Sequence, residues 1–199
     1  MTNLITRKRI IVDPPIAKLL FSDTRLALAW LAIRLYVGYA WVEAGVHKIQ
    51  DPAWVDTGLA LRGFWLNVTK IPAPPAKPSI TFDWYRSILQ VLLDGNAYTW
   101  FGRVIAFGET ALGIALILGA FVGVAAAVGA FLNINYLLAG VASTNPVLLI
   151  LAILLILAWK TAGFLGLDRF LLPMLGTPWR VNDDRTPRTR GNAPQPAVL

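Results

Sequence analysis

A carboxylate and an imidazole lie one helical turn apart at Glu43 and His47, inside a stretch that is otherwise mostly apolar. At a spacing of four, two side chains are neighbours on a helix. Such a pair near a membrane surface offers a route for protons to and from water. The same stretch carries Arg34 and Lys48. A charge at membrane depth costs roughly 2.5–3.5 kcal/mol on insertion scales, and arginine does not escape by losing its proton. Residues of this kind call for partners. A later apolar stretch supplies Arg103 and Glu109, and a third supplies Asn133, Asn135 and Tyr136. Asparagine amides bridge helices or bind a carbonyl oxygen.

These residues need helices to place them. At ~100° per residue, with Arg34 as zero, Gly38 falls at about +40°, Trp41 at −20°, Gly45 at +20° and Lys48 at −40°. All share one narrow stripe, and its glycines let a neighbouring backbone come close. Glu43 and His47 fall on the opposite side, so this helix has polar groups on two faces and belongs at the centre of a bundle or against a partner. Gly129, Asn133, Tyr136 and Gly140 form a comparable stripe.

The composition says what kind of bundle this is. The chain has 199 residues, 56% hydrophobic and only 15% charged, with a mean hydropathy of +0.59. A soluble domain carries more charge, and several apolar stretches approach the ~18–20 residues that cross a bilayer. The sequence therefore predicts an all-α integral membrane protein. Its four transmembrane helices run from about 26–48, 99–118, 121–141 and 146–164. A long extracytoplasmic loop over 49–98 is expected to be partly helical, at Trp54 to Val68 and Phe82 to Leu93, with an extended proline-rich piece between. Residues 1–25 read as a basic arm without a cleavable signal, and 173–199 as a polar, disordered tail. Basic residues gather in both terminal segments while the long loop is close to neutral. The positive-inside rule then places both termini in the cytoplasm; a prokaryotic cell (inner) membrane is the expected location. The net charge of +7 follows from this topology and does not point to nucleic acid. With no cysteine and one histidine, the chain offers no thiolate metal site, no iron–sulfur ligation and no bis-histidine haem.

With ~1.5 Å of rise per residue, Arg103 and Glu43 come to similar depths, and Arg34 and Glu109 differ by roughly 7 Å. This predicts two cross-helix ion pairs, Arg34–Glu109 and Glu43–Arg103, with the exchanged pairing as the alternative. Intramembrane ion pairs and asparagines also act simply as staples that hold helices in register, and Lys48 at the membrane edge also snorkels. The structural and the ligand-binding roles of Arg34 and Asn133 both stay open at this level.

On these residues the chain resembles the DoxX family of small four-span membrane proteins. The resemblance is carried by Arg34, Gly38, Trp41, Gly45 and Lys48, by Glu109, Gly113 and Gly119, and by the closing run from Gly163 through Gly166, Leu167 and Asp168. It covers roughly residues 26–172. The long outer loop looks most like the DoxD branch, which includes the small subunit of thiosulfate:quinone oxidoreductase. The resemblance implies a redox-linked membrane subunit that meets the quinone pool. In that setting Arg34 or Lys48 would donate to a quinone oxygen and Glu43 and His47 would exchange protons with the outer side. Trp41, Tyr36 and Tyr136 would pack on the ring, with Glu109 and Asn133 beside the site. The chain brings no electron carrier of its own, so a second subunit or a bound cofactor is expected to complete the enzyme, and a homo-oligomer is an open arrangement. The alternative is a non-catalytic assembly or anchoring subunit of a respiratory or photosynthetic complex. A solute carrier fits less well, since no inverted repeat or broken helix is visible.

Overall fold

The computed structural model describes residues 13–177. Within them the chain is all helical, with no strand. Helix α1 (Pro15–Ser22) opens on a proline at its first position, where the missing N–H costs nothing. A 3-10 turn (Thr24–Leu26), started by the Asp23 side chain accepting from Arg25 N at 2.9 Å, leads into α2 (Ala27–Ile49). The helix α1 was not expected in the basic arm. Trp30 Nε1 donates to Leu20 O (2.8 Å) and Thr161 Oγ1 donates to Phe21 O (2.7 Å), so α1 is tied to the bundle by its own last carbonyls.

The expected loop is folded. It contains α3 (Pro52–Val55), α4 (Leu59–Val68) and α5 (Asp83–Asp94). The single helical stretch expected over Trp54 to Val68 is broken at Gly58, whose φ of +70° brings the chain hard against the Tyr98 carbonyl. These helices form a cap with its own core of Leu61, Trp65, Ile80, Tyr85 and Leu89. Two side chains help clamp it to the bundle: Arg103 Nε donates to Val55 O (2.5 Å), and Tyr85 OH donates to Asn135 O (3.0 Å). Burial pushes the Tyr85 phenol above its ordinary range.

The bundle continues with α6 (Tyr98–Leu118), α7 (Val122–Leu138), α8 (Asn145–Leu157), α9 (Trp159–Gly163) and α10 (Asp168–Met174). The α6–α7 turn is short because Gly119 and Phe121 both adopt positive φ (+69° and +49°). Helix α2 packs most extensively on α6, and α7 on α8. Glycines explain the first pair: a Cβ at Gly113 would lie 2.6 Å from both Gly38 O and Val42 N, so the two backbones touch. The bundle core is Trp30, Val37 and Trp41 of α2 against Leu112, Leu116, Ala126 and Leu155.

Two helices are long and apolar enough to cross a membrane, Thr24–Ile49 (the 3-10 turn included) and Tyr98–Leu118. The other two apolar helices are shorter, 17 and 13 residues. The fourth stretch, expected as one helix to about residue 164, breaks at Ala158 between α8 and α9. Of the tail expected to be disordered from 173, Pro173 and Met174 instead close α10, and residues from 178 onward lie outside the described residues.

Candidate functional site

The polar residues of α2 separate into two groups at opposite ends of the bundle. At the end away from the cap, Arg34 is buried and its guanidinium donates to Ala162 O (3.1 Å) and Leu165 O (3.0 Å). It fills the space beside Gly119 and Gly166, where a Cβ on either glycine would collide with its Nη1. A cation is well placed there, at the carbonyl end of α9. Asp168 stands close by and caps α7 from a distance in sequence, its carboxylate accepting from Phe121 N (2.5 Å) and Val122 N (2.8 Å). Burial pushes the Asp168 carboxyl above the usual carboxylate range, against the pull of those two N–H groups and of the Arg34 charge. Leu167 N and Asp168 N also donate to Leu118 O and Gly119 O. The far end is thus a lock joining α2, the α6–α7 turn and α9–α10.

At the cap end the centre is Glu109, whose side chain is 0% exposed. Lys48 Nζ donates to its Oε2 at 2.5 Å, and Tyr136 OH donates to its Oε1 at 2.5 Å. Three helices meet on one carboxylate. Lys48 also lies 5.4 Å from the centroid of the Trp54 ring, which roofs it from α3. Beside this cluster opens a cavity of about 500 Å³. Its walls include Trp41, Lys48, Glu109 and Tyr136, and exposed Glu43 and His47 stand at its edge. Tyr36, Tyr39 and the turn at 143–145 complete it.

The expected ion pairs are not those observed. Glu109 is held by Lys48 and Tyr136, not by Arg34, which reaches carbonyls instead. Arg103 serves the cap through Val55 O and Asp56 O, and makes no pair with Glu43. The reason is register. Gly45 lies opposite Ala106 and Thr110, and Gly38 opposite Gly113 and Ile117, so Arg34 is level with Gly119 and far from Glu109. Glu43, His47, Lys48, Trp41, Glu109 and Tyr136 do come together around one cavity. Asn133 does not line it. It is buried on α7, and neither its amide nor Trp41 Nε1 has a hydrogen-bond partner among the described residues. Tyr39 and the turn at 143–145 were missed. Tyr39 follows Tyr36 by three residues and precedes Glu43 by four, the spacing of one helix face. The turn itself is legible in Ser143 to Pro146, but nothing local in the sequence places it beside Glu109.

Comparison of the chain with protein families, with curated proteins and with solved structures found no match.

Proposed function

We propose that this chain is a DoxX-like, four-span membrane subunit of a quinone-linked oxidoreductase. In this reading it supplies a quinone and proton site, and a partner subunit supplies the electrons. The observation that carries the proposal is the buried Glu109–Lys48–Tyr136 cluster at the end of an aromatic-walled cavity. A volume of about 500 Å³ lies within the ~300–1,000 Å³ range of small-molecule pockets. Four spans are consistent with the helix lengths. Helix α7 has 17 residues, about 26 Å at ~1.5 Å per residue. Helices α8 and α9 together run from 145 to 163, about 28 Å by the same rise, close to the ~30 Å hydrocarbon thickness. The basic terminal segments orient both termini toward the cytoplasm, which puts the cap and the Glu109 end of the cavity on the outer side.

Reduction of a quinone takes two electrons and two protons. Lys48 is the donor at the cavity's buried end, held in place by Glu109, whose other oxygen takes the single O–H of Tyr136. Lys48 has three N–H groups, so it can donate to a quinone oxygen while keeping Glu109. Trp41 and Tyr136 supply ring surfaces for an aromatic head group, with Tyr36 and Tyr39 further along α2. Glu43 and His47, exposed at the edge, exchange protons with water. Thiosulfate, the dianionic donor implied by the DoxD resemblance, is assigned to the partner subunit, because Glu109 already neutralises the charge of Lys48.

Turnover of the purified native complex tests this. Glu109→Gln and Lys48→Met should abolish quinone reduction while the subunit stays in its complex, and Glu43→Gln or His47→Ala should slow it. Unchanged turnover in Glu109→Gln and Lys48→Met contradicts the proposal. A second reading, a non-catalytic assembly subunit, draws on the far-end lock of Arg34 and Asp168, whose hydrogen bonds are all to backbone groups. It predicts that cavity substitutions disturb assembly and leave turnover per complex intact.

A further inference from the structure

Resting on the quinone reading above, we propose that the ligand enters sideways from the bilayer. It lies along α2 with its polar head at Glu109 and a hydrocarbon tail over Ala40, Tyr39 and Tyr36.

The shape and polarity of the cavity carry this. Its α2 wall runs from Lys48 down to Tyr36, a rise of about 18 Å at ~1.5 Å per residue, a length that suits a tailed molecule. The Glu43 and Glu109 carboxylates, the Lys48 ammonium and the His47 imidazole all sit toward the cap end, whereas the lower half presents Ala40, Tyr39 and Tyr36. A cleft with ionic groups at one end and apolar surface at the other fits an amphiphile with a compact head. At the cap end Trp54 lies over Lys48, while exposed Glu43 and His47 keep that end in contact with water. The side is open. Tyr36 and Tyr39 are 54% and 62% exposed, although they lie within the apolar body of α2. Helix α8 reaches the cleft only at Asn145 and Leu148, at its cap end. A small water-soluble substrate would have no use for this lower half.

Equilibrium binding to the full chain in nanodiscs tests the proposal. The probes are a radiolabelled benzoquinone carrying an alkyl chain and the same head group without it, corrected for partition into empty discs. The native chain should prefer the tailed quinone by about tenfold or more, the factor that 1.4 kcal/mol gives. Ala40→Trp, which fills the lower cleft, should erase that preference and leave tailless binding within about twofold, a factor worth well under 1 kcal/mol. Tyr39→Ala removes wall without adding bulk and should reduce the preference in the same direction. It decides the matter where Ala40→Trp loses both ligands. Equal native binding of the two quinones overturns the proposed orientation, as does a tail preference that survives both substitutions. The head-group reading would then stand. A native chain that binds neither quinone overturns both.

Discussion

Replacing Lys48 with methionine removes an Nζ that lies 2.5 Å from Glu109 Oε2 and leaves a fully buried carboxylate with Tyr136 as its remaining side-chain donor. Removing one partner of a buried pair costs about 3–5 kcal/mol, because the other charge stays buried without compensation. Lys48 is only 17% exposed, so solvent screens little of this. In a chain of this length each kcal/mol moves the melting temperature by about 2–4 °C, and Lys48→Met should lower it by about 6–20 °C. Glu109→Gln keeps an oxygen for Tyr136 and leaves an ammonium that still reaches solvent beside Trp54, so its loss should be nearer 1–3 kcal/mol, the cost of one unmade polar contact. The double variant Lys48→Met/Glu109→Gln removes the uncompensated charge and should recover most of the stability lost in Lys48→Met. Thermal unfolding of the four proteins in the same detergent, run as a double-mutant cycle, measures each value. A double variant no more stable than Lys48→Met, or a Lys48→Met shift below about 2 °C, would refute the claim that Lys48 neutralises Glu109.

Three further outcomes follow from the packing. Gly113→Ala puts a methyl 2.6 Å from Gly38 O and Val42 N and should destabilise by about 1–3 kcal/mol or more, whereas Gly63→Ala in α4 meets nothing within 4 Å and should stabilise by up to about 1 kcal/mol; melting temperatures separate them. Arg34→Lys keeps the charge and loses the fork that spans Ala162 O and Leu165 O, a loss of about 1.5–3 kcal/mol for one charged hydrogen bond, with quinone affinity of the folded protein unchanged because Arg34 does not line the cavity. Arg103→Met frees the cap, so hydrogen exchange should quicken across α3 and α4 while α7 and α8 keep their protection.

Much of the bundle was legible because its signals are local. The stripe through Arg34, Gly38, Trp41 and Gly45 is buried as its periodicity requires, with Glu43 and His47 on the exposed face. The turns at Gly119 and before Pro146, and the helix near Phe82 to Leu93, also announce themselves in turn and cap residues. The partner of Glu109 was not legible, because pairing depends on how far α6 slides along α2. Counting depth from the outer ends of both spans sets Gly38 opposite Glu109. The structure sets it opposite Gly113 and Ile117, a slip of four to eight residues, roughly 6–12 Å at ~1.5 Å each. The first turns of α6 rise past the end of α2 to receive the cap, where Gly102 meets Trp54 O and Arg103 meets Val55 O. That slip brings Lys48 within reach of Glu109 and carries Arg34 down to Gly119. The Asp168 cap on α7 was hidden for a related reason: its partners lie 46 and 47 positions away in sequence.

Photoaffinity labelling puts the central claim, that the Glu109 cluster and the cleft below it hold a quinone, to its most direct test. A photoactivatable quinone irradiated with the full chain in nanodiscs should attach to α2 between Tyr36 and Lys48 and to residues 141–148. Excess unlabelled quinone should compete it away, and Glu109→Gln should reduce it strongly. Labelling confined to the outward faces of α6 and α7, at residues such as Phe107, Val124 and Phe131, and insensitive to Glu109→Gln, would contradict the account.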